Sequence, residues 1–370
     1  MMHSGLEGPV EVSPFPYQGP LDPDQVRGRD GLLADLAERV TGRRVTALLG
    51  PRRFGKTSVL RRLAADLTEV ATIQVDLFGV QTHADVVVRL SSAMREAVPE
   101  VRDPAVELSV QAGIDLGGLQ AKLALSPSKR PDARALFDEL VRMLVALAGR
   151  TPLLVVFDEF QSITSIEGAA AVLRTHLQHH YSRLGLVFAG SAPSAMRDVF
   201  TRHDQPFFNQ ADLVTIEPLD LVAVHDIVAE GFAATGREPG AVAGQVFGLT
   251  GGHPQRTMRA ADQVWRHTDP GERADQVWGR ALISLRAAEA AVLAATYDDL
   301  TATEKKVVRI YANGGALYGS AAERLSLSPG AAAHARDRLL ADAKLRHSPD
   351  DEVVVTDPLL ADWLVQRLPL

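Results

Sequence analysis

The chain has 370 residues, 46% hydrophobic and 23% charged, with a formal net charge of -7 and no cysteine. That length predicts two or three domains around separate cores, and the missing cysteines exclude disulfides, thiolate metal sites and a cysteine nucleophile. The acidic balance argues against a broadly basic nucleic-acid coat, although a local basic patch stays compatible with it.

No basic-then-apolar leader opens the sequence, and the strongest apolar run, LLVVF, is far shorter than the ~20 residues that cross a bilayer. A cytoplasmic protein without a membrane partner is expected. Residues 1–24 are rich in Pro and Gly, which predicts an extended lead-in. RDGLLADLAERVTG then sets Leu32, Leu33, Leu36 and Val40 at helical spacing before a Gly stop.

Strands are predicted at 45–49, 71–77, 152–157, 185–189 and 212–216, with helices at about 56–68, 82–97, 132–148 and 165–182. Near-continuous apolar strands are what a parallel sheet buried on both faces requires, so a doubly covered α/β sheet is expected. ELSVQAGIDLGGLQAKLAL (107–125) alternates apolar and polar residues around Gly117-Gly118 and predicts an inserted β-hairpin, read as a surface embellishment. From about 220 helices dominate, interrupted by LTGGHP (249–254). Beyond about 300, three short helices and a hairpin expected in RHSPDDEVVVTD make a winged-helix pattern.

Gly50, Gly55, Lys56 and Thr57 satisfy G-x-x-x-x-G-K-[ST], with an apolar strand before and a helix after. Glycines let backbone N–H groups turn toward phosphate oxygens, and the helix N-terminus adds a favourable dipole. Lys56 can span the terminal phosphates and the Thr57 hydroxyl can ligate Mg²⁺. The phosphate-binding stretch is therefore Gly50, Pro51, Arg52, Arg53, Phe54, Gly55, Lys56, Thr57 and Ser58. Arg52 and Arg53 sit on its variable side, where contact with phosphate, contact with an adjacent subunit and solvent exposure are all open.

Asp158 and Glu159 follow an apolar strand in TPLLVVFDEFQ, at the carboxyl edge where α/β sheets bind ligands. An Asp there can hold the Mg²⁺ shell, and the neighbouring Glu can take a proton from attacking water or orient it. Glu159 favours hydrolysis over binding alone. Ser191 follows the next strand, with two readings: a hydroxyl near the terminal phosphate, or a cap for the helix beginning near Pro193.

Together these motifs resemble the archaeal-type ATPases of the AAA+/STAND branch of P-loop NTPases. The likeness runs over roughly residues 14–366 and rests on PFPYQGPLDPDQVRGRDGLLADL, GPRRFGKTS, VVFDEFQ, AGSAPSAM, GGHP and DPLLADWL. It implies an AAA+-like α/β core with parallel strand order 5-1-4-3-2, a helical lid and a C-terminal winged helix. The domains would then be a lead-in at 1–24, a core at 25–219, a lid at 220–299 and a winged helix at 300–370.

The resemblance also implies ATP or ADP with Mg²⁺ as ligands. Val26, Gly28 and Arg29 would lie at the adenine side, Pro254 would close over the nucleotide, and Arg256 or Arg259 would offer a lid arginine. Where relatives carry an arginine before the fifth strand, PFFNQA (206–211) has Gln210. Its loss implies slow turnover or a transfer of the task to Arg202 or Arg197, since an arginine finger contributes ~10³–10⁵.

His176, His179 and His180 share a helix face without a local acidic or thiolate ligand and read as solvated surface rather than a metal site. Trp265 and Trp278 read as core anchors. Residues 301–370 hold nine Lys/Arg and nine Asp/Glu, a balance without the electrostatic footprint of DNA binding. Arg336 and Arg338 flank Asp337 in the would-be recognition helix, so packing or partner docking outweighs DNA contact there. The expectation is a slow Mg²⁺-dependent ATPase acting as a switch on a protein partner, with assembly on ATP binding open. A DNA-binding accessory ATPase of replication, transposition or defence, and a scaffold with negligible turnover, are the alternatives.

Overall fold

The apolar runs become five strands of one parallel sheet: β1 (Thr46–Leu49), β2 (Ala71–Asp76), β3 (Leu153–Asp158), β4 (Gly185–Gly190) and β5 (Asp212–Thr215). They lie in the order β2-β3-β4-β1-β5, which is the expected 5-1-4-3-2 read from the other edge. The computed structural model describes residues 11–97 and 132–370, so the hairpin expected at 107–125 lies outside the described residues.

Side chains alternate across each strand, and the two faces bury different sets. Ala47, Leu49, Val155, Phe157 and Phe188 face one core; Leu48, Leu154, Val156, Val187 and Ala189 face the other. The first core is covered by α3 (His83–Ala97), α4 (Ala133–Ala148), α5 (Ala169–Leu177) and α6 (Pro193–Thr201). The second is covered by α1 (Asp30–Thr41) and α2 (Lys56–Asp66). Helix α4 shows why these segments are helical: Phe137, Val141, Leu144 and Ala148 recur on one buried stripe, and Asp132 caps the first turn by accepting from Arg134 N–H.

Two expectations change. β5 is exposed at three of its four residues, so burial on both faces does not extend to it, although the other edge strand, β2, buries Ile73 and Val75. The helix expected over 165–182 is divided: a 3₁₀ turn spans Phe160–Ser165, α5 begins after Gly168, and a second turn spans Tyr181–Arg183. Gly168 has φ +74°, a left-handed conformation that interrupts the helix there.

A second compact unit comprises the described residues up to Leu21 together with Pro218–Leu340 and Lys344–Leu370; the sheet lies in the first, Asp22–Glu217. Its helices are α7 (Leu221–Ala233), α8 (Val242–Thr250), α9 (Pro254–Arg266), α10 (Trp278–Asp298), α11 (Ala302–Ala312), α12 (Ser320–Arg324) and α13 (Pro329–Ala341). An antiparallel hairpin of β6 (Leu345–His347) and β7 (Val353–Val355) and a last helix α14 (Pro358–Arg367) complete it.

The lead-in contributes to this unit's core. Phe15 is buried against Phe232 at 5.3 Å between ring centroids. It crosses Gly231, where a Cβ would fall 2.4 Å from the Phe15 ring. Both carboxylate oxygens of Glu11 accept from Arg237, whose guanidinium lies 4.5 Å from the centre of the Trp265 ring. Trp265 is buried and Trp278 packs partly buried against the same cluster.

Candidate active site

The loop between β1 and α2 is shaped by close approach. A Cβ on Gly50 would fall 2.2 Å from Ile216 Cγ2, so only glycine lets β1 leave the sheet beside β5. Gly55 has φ +88° and is the N-cap of α2, leaving that helix's first N–H groups for the loop's concavity. Inside it the buried Lys56 ammonium donates to Gly50 O at 2.7 Å and Pro51 O at 2.9 Å. Burial draws the Lys56 pKa down to about 8, against the raising influence of Glu159 and Asp158.

The first α2 turn reaches the end of β3. Thr57 Oγ1 donates to Asp158 Oδ2 at 2.7 Å. Burial pushes the Asp158 carboxyl above its ordinary range, while the Thr57 hydrogen bond and Lys56 pull it back. A hydroxyl and a carboxylate in contact are hard oxygen donors of the kind Mg²⁺ takes from protein, with water and phosphate oxygens supplying the remainder. These two residues fit such an ion.

Glu159 stands on a turn that the chain forces. Its φ of 54° and ψ of 40° are left-handed, a conformation costing a non-glycine residue about 1–3 kcal/mol and concentrated at functional sites. Phe157 and Phe160 hold it on either side, buried with Phe188, Phe200 and Phe207; the Phe160 and Phe188 centroids are 4.3 Å apart. One carboxylate oxygen, Oε2, accepts from Ser191 Oγ at 2.6 Å and from Gln161 Nε2 at 2.5 Å.

Ser191 is thus committed to Glu159; α6 has Ala192 as its N-cap and no side-chain capping bond. Gln161 is the residue that sequence reasoning missed, and its polar side chain two positions beyond Glu159 was the available signal. Gly190 makes its space: a Cβ there would fall 2.3 Å from Gln161 Oε1.

The remaining expected residues divide. Arg29 is buried and donates to Glu217 O at 2.8 Å and Phe54 O at 3.4 Å, tying the start of α1 to the loop and to the exit from β5. Gly28 has φ +66° and Val26 is buried beside it. Pro51 and Ser58 are buried, and the Phe54 side chain packs into the core, so Phe54 offers the site only its backbone. Arg52 and Arg53 are exposed, Arg53 with φ +68°. Gln210 donates to Phe208 O at 3.4 Å, and Arg202 pairs with Asp204 at 2.9 Å. His176 contacts Asp138 at 2.7 Å, an acidic partner that its helix did not announce.

Pro254 belongs to the second unit, at the first turn of α9. Gly251 ends α8 with φ +53°, and Gly252 passes so close that a Cβ would fall 1.8 Å from Leu219 O. His253 caps α9 by accepting from Arg256 N–H at 3.4 Å, and burial drives its imidazole down to about 4. Arg256 is buried and paired with Asp357 and, at 2.8 Å, Glu289. Arg259 pairs with Glu289 at 2.9 Å and donates to Tyr17 Oη at 2.7 Å. Both arginines expected at a lid are therefore bonded within their own unit.

Residues 38–196 match the model of the AAA domain family. Among solved structures, the Walker-type ATPase of Pyrococcus abyssi aligns with a TM-score of 0.69 at 18% identity, covering 95% of this chain and 99% of that one. The Aeropyrum pernix ORC1 protein, solved in complex with DNA, aligns with a TM-score of 0.50 at 15% identity, covering 92% and 93%. No curated protein matches the sequence. Strand order, phosphate loop and the match over residues 38–196 agree on the fold: the chain carries a P-loop α/β fold similar to that of the archaeal Walker-type ATPase.

Proposed function

We propose that this protein binds Mg²⁺·ATP on the loop Gly50–Ser58, hydrolyses it slowly, and uses the nucleotide state to control a protein partner. The observation that carries the reading is the Glu159 carboxylate, held by Ser191 and Gln161 on a strained turn beside the Thr57–Asp158 pair. A nucleotide-binding scaffold alone has no need of that arrangement.

Lys56 would exchange its contacts with Gly50 O and Pro51 O for phosphate oxygens, gaining a charge partner for a buried ammonium. Thr57 and Asp158 would hold Mg²⁺, which shields phosphate charge when bound. Glu159 would take the proton of a water whose oxygen bonds to the γ-phosphorus as the bond to the β–γ bridging oxygen breaks, releasing ADP and phosphate. Differential affinity for ATP and ADP is what a two-state switch requires.

Supporting a protein rather than DNA as partner, the cations of α13 are engaged: Arg336 pairs with Asp337 at 2.7 Å and Arg338 lies 3.6 Å from Glu304. Light scattering with and without Mg²⁺·ATP, read beside phosphate release, tests the proposal. Slow release with a nucleotide-dependent change in mass or hydrodynamic radius is expected; absence of nucleotide binding at millimolar ATP would overturn it.

A further inference from the structure

We propose that Arg52, within the phosphate loop, is the arginine that neutralises charge developing on the transferred phosphoryl group, acting in the same chain where Gln210 cannot. This rests on the ATP-hydrolysis reading above.

The geometry singles out Arg52 in three ways. Its Nε donates to Ser191 Oγ at 3.4 Å, and Ser191 Oγ is the group bonded to Glu159, so the guanidinium lies beside the residues that would handle the attacking water. It sits 5.3 Å from the centre of the Phe78 ring on the loop after β2, which steers it along the carboxyl edge of the sheet. Among the described residues no carboxylate pairs with it. An unneutralised guanidinium facing a phosphate cradle gains most when phosphate charge arrives.

Four other arginines expected near the nucleotide are engaged elsewhere. Arg29 holds two backbone carbonyls, Arg202 is paired with Asp204, and Arg256 and Arg259 are bonded within the second unit. Gln210 is uncharged and turned to Phe208 O.

Because Arg52 is exposed, its replacement leaves the core intact. The test is equilibrium binding of Mg²⁺·ADP and of Mg²⁺·ADP–aluminium fluoride, a mimic of the transferring phosphoryl group, to the wild type, Arg52→Ala, Arg52→Lys and Lys56→Ala. Arg52→Ala should keep ADP affinity within about threefold and lose about 100-fold or more for the fluoride complex, since an arginine at this step contributes ~10³–10⁵ to turnover. Arg52→Lys should recover part of that loss, lacking the planar fork. Equal losses for both ligands, or none for the fluoride complex, would overturn the assignment while leaving the phosphate-loop reading intact. Unchanged ADP affinity in Lys56→Ala would overturn the underlying reading and this inference with it.

Discussion

The Ser191 hydroxyl donates to Glu159 Oε2 at 2.6 Å, joining the end of β4 to the turn after β3. That bond fixes which way the carboxylate faces. Ser191→Ala should slow ATP turnover roughly 10- to 100-fold, part of the ~10²–10⁴ that a positioned base contributes. Nucleotide affinity should stay within a few-fold; an equal fall in ATP affinity would mean that Ser191 binds phosphate rather than positioning Glu159.

Lys56 predicts proton uptake on nucleotide binding. In the unfolded chain its amine has a pKa of 10.5, and in the fold about 8. Below about 8 both states carry the proton; between 8 and 10.5 the fold sheds it first, so stability without nucleotide rises with pH in that window. Phosphate favours the charged amine, so binding should weaken above pH 8 and draw a proton from solution. Calorimetry at about pH 8.5 in two buffers of different ionisation heat measures the uptake, and none would contradict the buried-ammonium account.

Gly252→Ala should destabilise the second unit by about 2 kcal/mol or more, because a Cβ would fall 1.8 Å from Leu219 O and φ is +73°. Gly236→Ala is the control: it has a comparable φ of +67° but meets nothing within 4 Å, so its cost should be about 1 kcal/mol. Urea denaturation compares the two midpoints.

Arg256→Ala removes the cation shared by Glu289 and Asp357, leaving Glu289 with Arg259 alone. Removing one member of a buried ion pair costs about 3–5 kcal/mol, and the partial exposure of Asp357 places this case near the low end. The thermal transition should fall by several degrees, with ADP affinity unchanged, if Arg256 serves the unit's packing. A selective loss of ATP affinity would instead restore it as a nucleotide-sensing arginine.

The phosphate loop was legible because its spacing is its chemistry: Gly50, Gly55, Lys56 and Thr57 are adjacent in sequence and in space. The strands followed from the alternation of apolar runs, and their order from the resemblance alone. What stayed hidden depends on long-range contact. Phe15 entering the second unit's core requires Gly231, more than two hundred residues away. Gln161 acquires its place through the space left by Gly190, and Arg52 through Phe78 and Ser191. The exposure of β5 depends on what covers its faces, which no local pattern reports.

Glu159→Gln tests the central claim most directly, by ATP affinity and single-turnover phosphate release measured on the same preparation. The account predicts ATP binding within a few-fold of wild type and release slowed about 100-fold or more. Release at the wild-type rate would contradict it and remove Glu159 from the chemistry.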